Sequence, residues 1–224
     1  MKSSKELKIT ETVQEILWDN ILLYDRKSDR DYFICFNIGK KKKPQFEQIS
    51  FRKENYWHLL GCKLANENAD EIYNKCLNRE EIKNDIIYAY QHSLKDVKEK
   101  DEVFKRVFDF VEYAKEINIA YASAPDVYTF KMAIGKDSIV GYGTSRWNPE
   151  GILHPRTCQK KSTQNISREL YKILFILSKE KNQRKYDTVE YCTRKVNKKN
   201  DIALVKQIID DNYDDMDLFD IKES

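Results

Sequence analysis

Glycine and proline are scarce, with six and four among 224 residues. That scarcity excludes a collagen-like or low-complexity chain. The cysteines are few and badly spaced for a framework: Cys35, Cys62, Cys76, Cys158 and Cys192 are odd in number and form no C-x-x-C pair. Neither a disulfide scaffold nor a paired-cysteine zinc site is expected, and a reducing compartment fits best. No stretch approaches the ~18 apolar residues of a membrane span. Residues 1–6 lack the apolar run of a secretion signal, so a cytoplasmic location is expected. A charge excess of one sign is missing too. Forty Lys and Arg face 37 Asp and Glu, and the resulting +3 does not by itself predict a nucleic-acid binder; only local clustering could. No repeat of solenoid period is present. The chain has no Walker loop, no G-x-G-x-x-G, no H-E-x-x-H and no Cys/His pair at ligand spacing. Nucleotide-driven phosphoryl transfer and zinc hydrolysis are left without support, and no cofactor or metal is expected. The carboxylates Asp210, Asp211, Asp214 and Asp215 read as a solvated acidic tail rather than a cation site.

What is present begins with aromatics, 14 Tyr and 10 Phe. They could stack on bases, but composition alone favours core packing. Residues 5–24 carry Leu7, Val13, Ile16, Leu17, Ile21 and Leu22 at helical spacing. Residues 31–38 read as a strand, and residues 48–52 as a second strand paired with it across the lysine turn 40–43. A short helix over 54–61 stops at Gly61, and another spans 68–78. Apolar spacing from Ile82 to Val111 predicts one long helix over 79–117, with a break possible at Lys100-Asp101. A hairpin follows over 128–143, then a strand over 151–157. Residues 170–179 read as a strand, although their length also permits a helix, and 186–195 alternate as a partner strand. Residues 201–211 form a helix with Asp201 as its N-cap. This order predicts an α+β fold, with N-terminal helices packed on an antiparallel sheet of about four strands and extra helices at both ends. The divisions expected are a helical extension over 1–29, the main α+β domain over 30–195, and a C-terminal helix with an acidic tail over 196–224.

Three histidines offer acid/base chemistry. His92 falls inside the predicted long helix and reads as structural. His154 precedes Pro155 and stays a candidate. His58 is the strongest, set among Tyr56, Trp57, Leu59 and Leu60 before Gly61, which allows a sharp helix exit. It could act as a general acid or base near neutral pH, or simply pack. Basic and hydroxyl residues cluster in three further places: Arg156 and Thr157 after Pro155, Ser145 and Arg146 beside Thr144 and Trp147, and Ser178 and Lys179 at a strand end. An Arg fork beside a hydroxyl suits a phosphate. Each cluster alone reads as ordinary surface. Together with His58 they supply what metal-free RNA cleavage needs: a base for the 2′-hydroxyl, an acid for the leaving oxygen, and cations for the phosphorane.

The run Phe51-x6-His58-Leu59-Leu60-Gly61, followed by Pro155-Arg156-Thr157, Ser178-Lys179 and Tyr186 in that order, resembles phage-type nuclease-like domains. These belong to the barnase–EndoU–colicin–RelE superfamily, and the resemblance is to its fourth phage family over about residues 30–195. It implies a barnase/RelE-like α+β domain and a metal-independent endoribonuclease, acting as a toxin or as a phage or mobile-element effector. It further implies RNA as substrate, an antitoxin or immunity partner, and a bacterial or phage-infected cytoplasm. The alternative it leaves open is an inactive RNA- or protein-binding member. Carried onto this chain, His58 is the acid/base, Arg156 and Thr157 bind or polarise the phosphate, and Lys179 assists. Ser145, Arg146, Ser178 and Tyr186 are the expected substrate contacts. Leu60 stands where the resemblance leads one to expect threonine.

Overall fold

The computed structural model describes residues 8–37, 43–65, 68–89, 92–122, 130–144, 151–193 and 198–221. The chain opens with helix α1 (Glu11–Ser28), capped by Thr10, whose side chain accepts from the Val13 amide. Val13, Leu17, Ile21 and Tyr24 recur on one face and are buried, which is the stripe that makes a surface helix dock. Strands β1 (Arg30–Asn37) and β2 (Gln45–Ser50) then pair antiparallel. A single 3-10 turn leads into the four-residue helix α2 (Tyr56–Leu59), followed by β3 (Cys62–Leu64) and α3 (Ala69–Leu77).

The long helix expected over 79–117 does not form. Arg79 takes a left-handed φ of 56° just past α3. The chain then makes the short strand β4 (Ile86–Tyr88), paired with β3, before α4 (Leu94–Val107) begins. Ile82 and Ile86 are buried, but from a turn and a strand, so helical spacing alone misassigns them. A capping box restarts the helix: Asp96 accepts from the Ser93 amide at 2.7 Å and from its hydroxyl at 2.6 Å. Helix α4 runs unbroken through Lys100 and Asp101.

Next come β5 (Asn118–Tyr121), β6 (Met132–Gly135), β7 (Ile139–Gly143) and β8 (His154–Gln159), an antiparallel meander. Strand β9 (Lys172–Glu180) returns to pair with β1, and β10 (Thr188–Cys192) pairs with β9. Among the described residues the strands therefore divide between two four-stranded sheets, β10-β9-β1-β2 and β5-β6-β7-β8, and the small β3-β4 pair, rather than one sheet of four. Local patterning marks hairpins, but not which distant strands share a sheet. Isolated bridges link Ile49 to Leu153 and Ile119 to Tyr171. They join the two large sheets, the first at the edge strand β2 and the second just before β9, so the main core lies between the sheets and the helices.

Both faces of β1 are covered. Tyr32, Ile34 and Phe36 enter the main core, whereas Phe33 and Cys35 face a second cluster with Phe175 and Leu177. Helix α5 (Lys198–Asn212) supplies Ile202, Val205 and Ile209 to that cluster. It starts at Lys198, so Asp201 lies within the helix instead of capping it. The tail is solvated only through its carboxylates: Asp210, Asp211, Asp214 and Asp215 are exposed. Tyr213, Leu218 and Phe219 pack against the same cluster and Ile221 is buried in it, because these apolar residues alternate with the acidic ones. No helix among the described residues is long and apolar enough to cross a membrane.

Candidate functional site

Helix α2 is short because it is pinned. Tyr56, Trp57, Leu59 and Leu60 are buried, and the Tyr56 hydroxyl donates to the Leu17 carbonyl at 2.5 Å. His58 is the one residue of this run left exposed. The helix ends at Gly61, whose φ of 75° suits glycine. Its amide donates to the His58 carbonyl at 3.1 Å, and its own carbonyl accepts from Ala89 at 2.9 Å. The Ala89 carbonyl in turn accepts from the His92 amide at 2.8 Å. Backbone hydrogen bonds thus run from His58 through Gly61 and Ala89 to His92. A Cβ at Gly61 would come within 3.2 Å of both His92 Cδ2 and Lys100 Cδ. The missing side chain is what lets these two residues press against the end of α2.

Helix α4 presents Asp96, Glu99 and Lys100 toward the same place. The Lys100 ammonium donates to Thr157 Oγ1 at 3.2 Å and to the Cys158 carbonyl at 2.9 Å. Strand β8 brings the last wall. Gly141 pairs with Thr157 but Tyr142 pairs with Pro155, so Arg156 is an extra residue opposite the β7 ladder. Such a bulge re-aims side chains, and here Pro155, Arg156, Thr157 and Cys158 all border one cavity although a regular strand would alternate them. The guanidinium is steadied by donating from Nη2 to the Thr144 carbonyl at 2.6 Å.

The resulting cavity has a volume of about 810 Å³. His58, His92, Lys100, Arg156 and Thr157 all line it, with Lys160 and Lys161 adding positive charge and Asp96 and Glu99 negative. Partial burial lowers the His58 pKa, and the charges of Arg156 and Lys63 lower it further. Burial also lowers that of His92, helped by Lys100 and opposed by Asp96. Both imidazoles are thereby biased to the neutral form, the state that accepts a proton. Burial also pulls the Lys100 ammonium downward, against Asp96 and Glu99. The arrangement can hold an anion and move protons beside it.

Of the residues singled out in the sequence, His58, Arg156 and Thr157 meet here. Lys179, Ser178 and Tyr186 do not line this cavity. Lys179 donates to the Gln183 carbonyl at 2.9 Å and lies 3.8 Å from Asp31. Ser178 is buried, donating to Glu190 at 2.6 Å and accepting from Arg30 at 2.7 Å. The buried Tyr186 donates its hydroxyl to Gln48 at 3.2 Å. All three stitch the β10-β9-β1-β2 sheet. His154 is buried as well, with Nδ1 2.8 Å from the Ser50 carbonyl. Leu60 points into the core, away from the cavity. Ser145 and Arg146 lie outside the described residues.

Sequence reasoning does not bring His92 and Lys100 to this cavity, which both line. His92 sits before the Ser93 cap of α4 instead of inside a helix. The signal that could have placed it is that cap, since Ser93 followed three residues later by Asp96 marks a helix start.

Among curated proteins and among solved structures nothing matches this chain. One family model does match, described as phage-Barnase-EndoU-ColicinE5/D-RelE like nuclease4, over residues 16–195. The match starts within α1 and takes in every cavity-lining residue named above. It covers most of the chain, and the chain therefore belongs to this family of nuclease-like domains.

Proposed function

We propose that this protein is a metal-independent endoribonuclease that acts as a toxin or as an effector of a phage or mobile element. The observation that carries the reading is the convergence of His58 with Lys100, Arg156 and Thr157 on one cavity. A neutral imidazole takes the proton of the ribose 2′-hydroxyl, and the 2′-oxygen attacks phosphorus. The bond from phosphorus to the 5′-oxygen breaks, and an imidazolium protonates that leaving oxygen. The products are a 2′,3′-cyclic phosphate and a free 5′-hydroxyl. His58 is one acid/base group, and His92, on the same cavity, is the complementary one. The anionic phosphate raises the pKa of whichever ring must arrive protonated. Lys100, Arg156 and Thr157 donate to the phosphate oxygens, where charge grows in the transition state.

The test is cleavage of several RNAs by purified protein in EDTA, compared with His58→Ala and Arg156→Ala. Wild type cleaves, and either substitution lowers the rate by about 10²-fold or more. Equal cleavage by all three proteins, or none by wild type, removes the reading. Induced expression of the same variants in bacteria separates a toxin from a benign nuclease: wild type arrests growth and His58→Ala does not.

A further inference from the structure

His58 borders two cavities, not one. Besides the cationic cavity it lines a second, of about 390 Å³, with Glu54, Trp57, Lys63, Leu64, Ala65 and Ala69. The electrostatics agree, because the two charges that lower the His58 pKa are Arg156 from the first cavity and Lys63 from the second. The imidazole therefore stands on the divide between them.

The two cavities differ in chemistry. The larger sets Lys100, Arg156, Lys160 and Lys161 against Asp96 and Glu99, a cationic balance among the described residues that suits phosphate. The smaller offers Trp57, Leu64, Ala65 and Ala69 as apolar wall, with one carboxylate, Glu54, which lies 3.8 Å from Arg52, and one ammonium, Lys63, among the described residues. Asp70 and Glu71 open helix α3 just behind Ala69. They offset the pull of a helix N-terminus on an anion, which argues against a second phosphate here. What fits is a neutral, flat group with polar edges, lying in an open depression beside His58.

We infer that the smaller cavity binds the nucleobase of the nucleotide whose phosphate occupies the larger one, with His58 between base and phosphate. The Glu54 carboxylate accepts hydrogen bonds only, so it favours bases whose exocyclic amine offers two N–H donors (adenine, cytosine, guanine) over uracil, which offers the single N3–H. The small side chains of Ala65 and Ala69 leave the room for the ring. This rests on the ribonuclease reading and gives it a base preference.

The experiment is calorimetric titration of the whole protein, in EDTA, with inorganic phosphate and with the 3′-monophosphates of adenosine, cytidine and uridine. The adenosine and cytidine nucleotides bind about tenfold or more tighter than phosphate. Ala69→Phe, which fills the cavity, removes that gain and leaves phosphate affinity within about twofold. Glu54→Gln abolishes only the advantage over uridine. If Ala69→Phe fails to fold, Ala65→Phe obstructs the same space from the other side. The inference alone is overturned if phosphate binds but the nucleotides gain nothing, or if the gain survives a folded Phe variant. If wild type binds neither phosphate nor nucleotide, the ribonuclease reading falls together with it.

Discussion

Lys100 reaches from α4 to Thr157 on β8, its Nζ donating to Thr157 Oγ1 at 3.2 Å across the cavity that both residues line. A second proton goes to the Cys158 carbonyl at 2.9 Å. An ammonium carries three, so among the described residues one is left for a phosphate oxygen. Lys100→Met keeps a long stem beside Gly61 and deletes the charge. Cleavage in EDTA is expected to fall by about 10²-fold in kcat/KM, the usual loss for one transition-state donor. Stability should stay within ~1 kcal/mol, because shedding the desolvation cost of the part-buried ammonium offsets the two hydrogen bonds it gives up. Urea unfolding of the same samples checks this. A stability loss that matches the rate loss would make Lys100 a structural tie only.

The two cavity histidines should answer to different neighbours. Arg156 lowers the His58 pKa but is no cause of the shift at His92, and Lys100 lowers His92 but is no cause of the shift at His58. Arg156→Met should therefore move the His58 titration up toward 6.5 and leave His92 in place. Lys100→Met should do the reverse. Ring-proton NMR titration reads both. Parallel shifts of the two histidines in either variant would contradict the separation drawn from the site.

All three histidines titrate below their ordinary 6.5 in the fold, and burial is the leading cause at each. The unfolded chain then binds more protons than the folded one as pH falls through 6.5. Their contribution to stability is thus complete above pH 6.5 and is lost as pH drops through the folded values. The acid limb of kcat/KM should likewise have its midpoint below 6.5, and His58→Gln should flatten it. Urea midpoints and rates measured from pH 5 to pH 8 test both trends.

Gly61 separates backbone strain from crowding. Its φ is 75°, and an added Cβ would press on His92 and Lys100 at 3.2 Å. Gly61→Ala should cost about 1–2 kcal/mol for the left-handed backbone and also lower activity. Asn tolerates that backbone better, so Gly61→Asn should recover part of the stability while activity stays low. Chemical denaturation and RNA cleavage distinguish the two effects. Full activity in either variant would show that His92 and Lys100 need not lie against α2.

The stretch from Tyr56 to Gly61 is legible in the sequence because everything needed is local: four apolar anchors, one polar residue and a glycine exit. The strands β1, β2, β6 and β7 are legible for the same reason, through alternation and turn residues. The site as a whole is less so. Arg156 and Thr157 share a cavity wall only through a bulge whose partner is on β7, and neither strand advertises it. Lys100 is one of many lysines, and burial against Thr157 singles it out only in three dimensions. Ser178 and Lys179 follow His58 in the expected order, yet they sit on the sheet that joins β9 to β1 and make their bonds there. Order along the chain carries the family. It does not say which sheet receives each strand.

The C-terminal segment lies beyond the family match, which ends at residue 195, yet it closes the second core. The Phe33 ring lies 5.2 Å from Tyr213 and 5.0 Å from Phe219, with Phe46 at 5.4 Å and Tyr186 at 5.5 Å. Truncation after residue 197 would uncover Phe33, Cys35, Phe175 and Leu177 on one sheet face. Such a contiguous apolar face drives association. The truncated protein should bind a hydrophobic dye, oligomerise by light scattering and unfold at lower urea. Phe219→Ala in the whole chain should give a milder version, a loss of up to about 3 kcal/mol, because its ring is only partly buried. The cavity lies among α2, α4 and β8, elements that give no residue to the second core. Phe219→Ala should therefore cleave RNA at nearly the wild-type rate at temperatures where it remains folded. A rate loss at full folding would mean that the C-terminal segment also shapes the site.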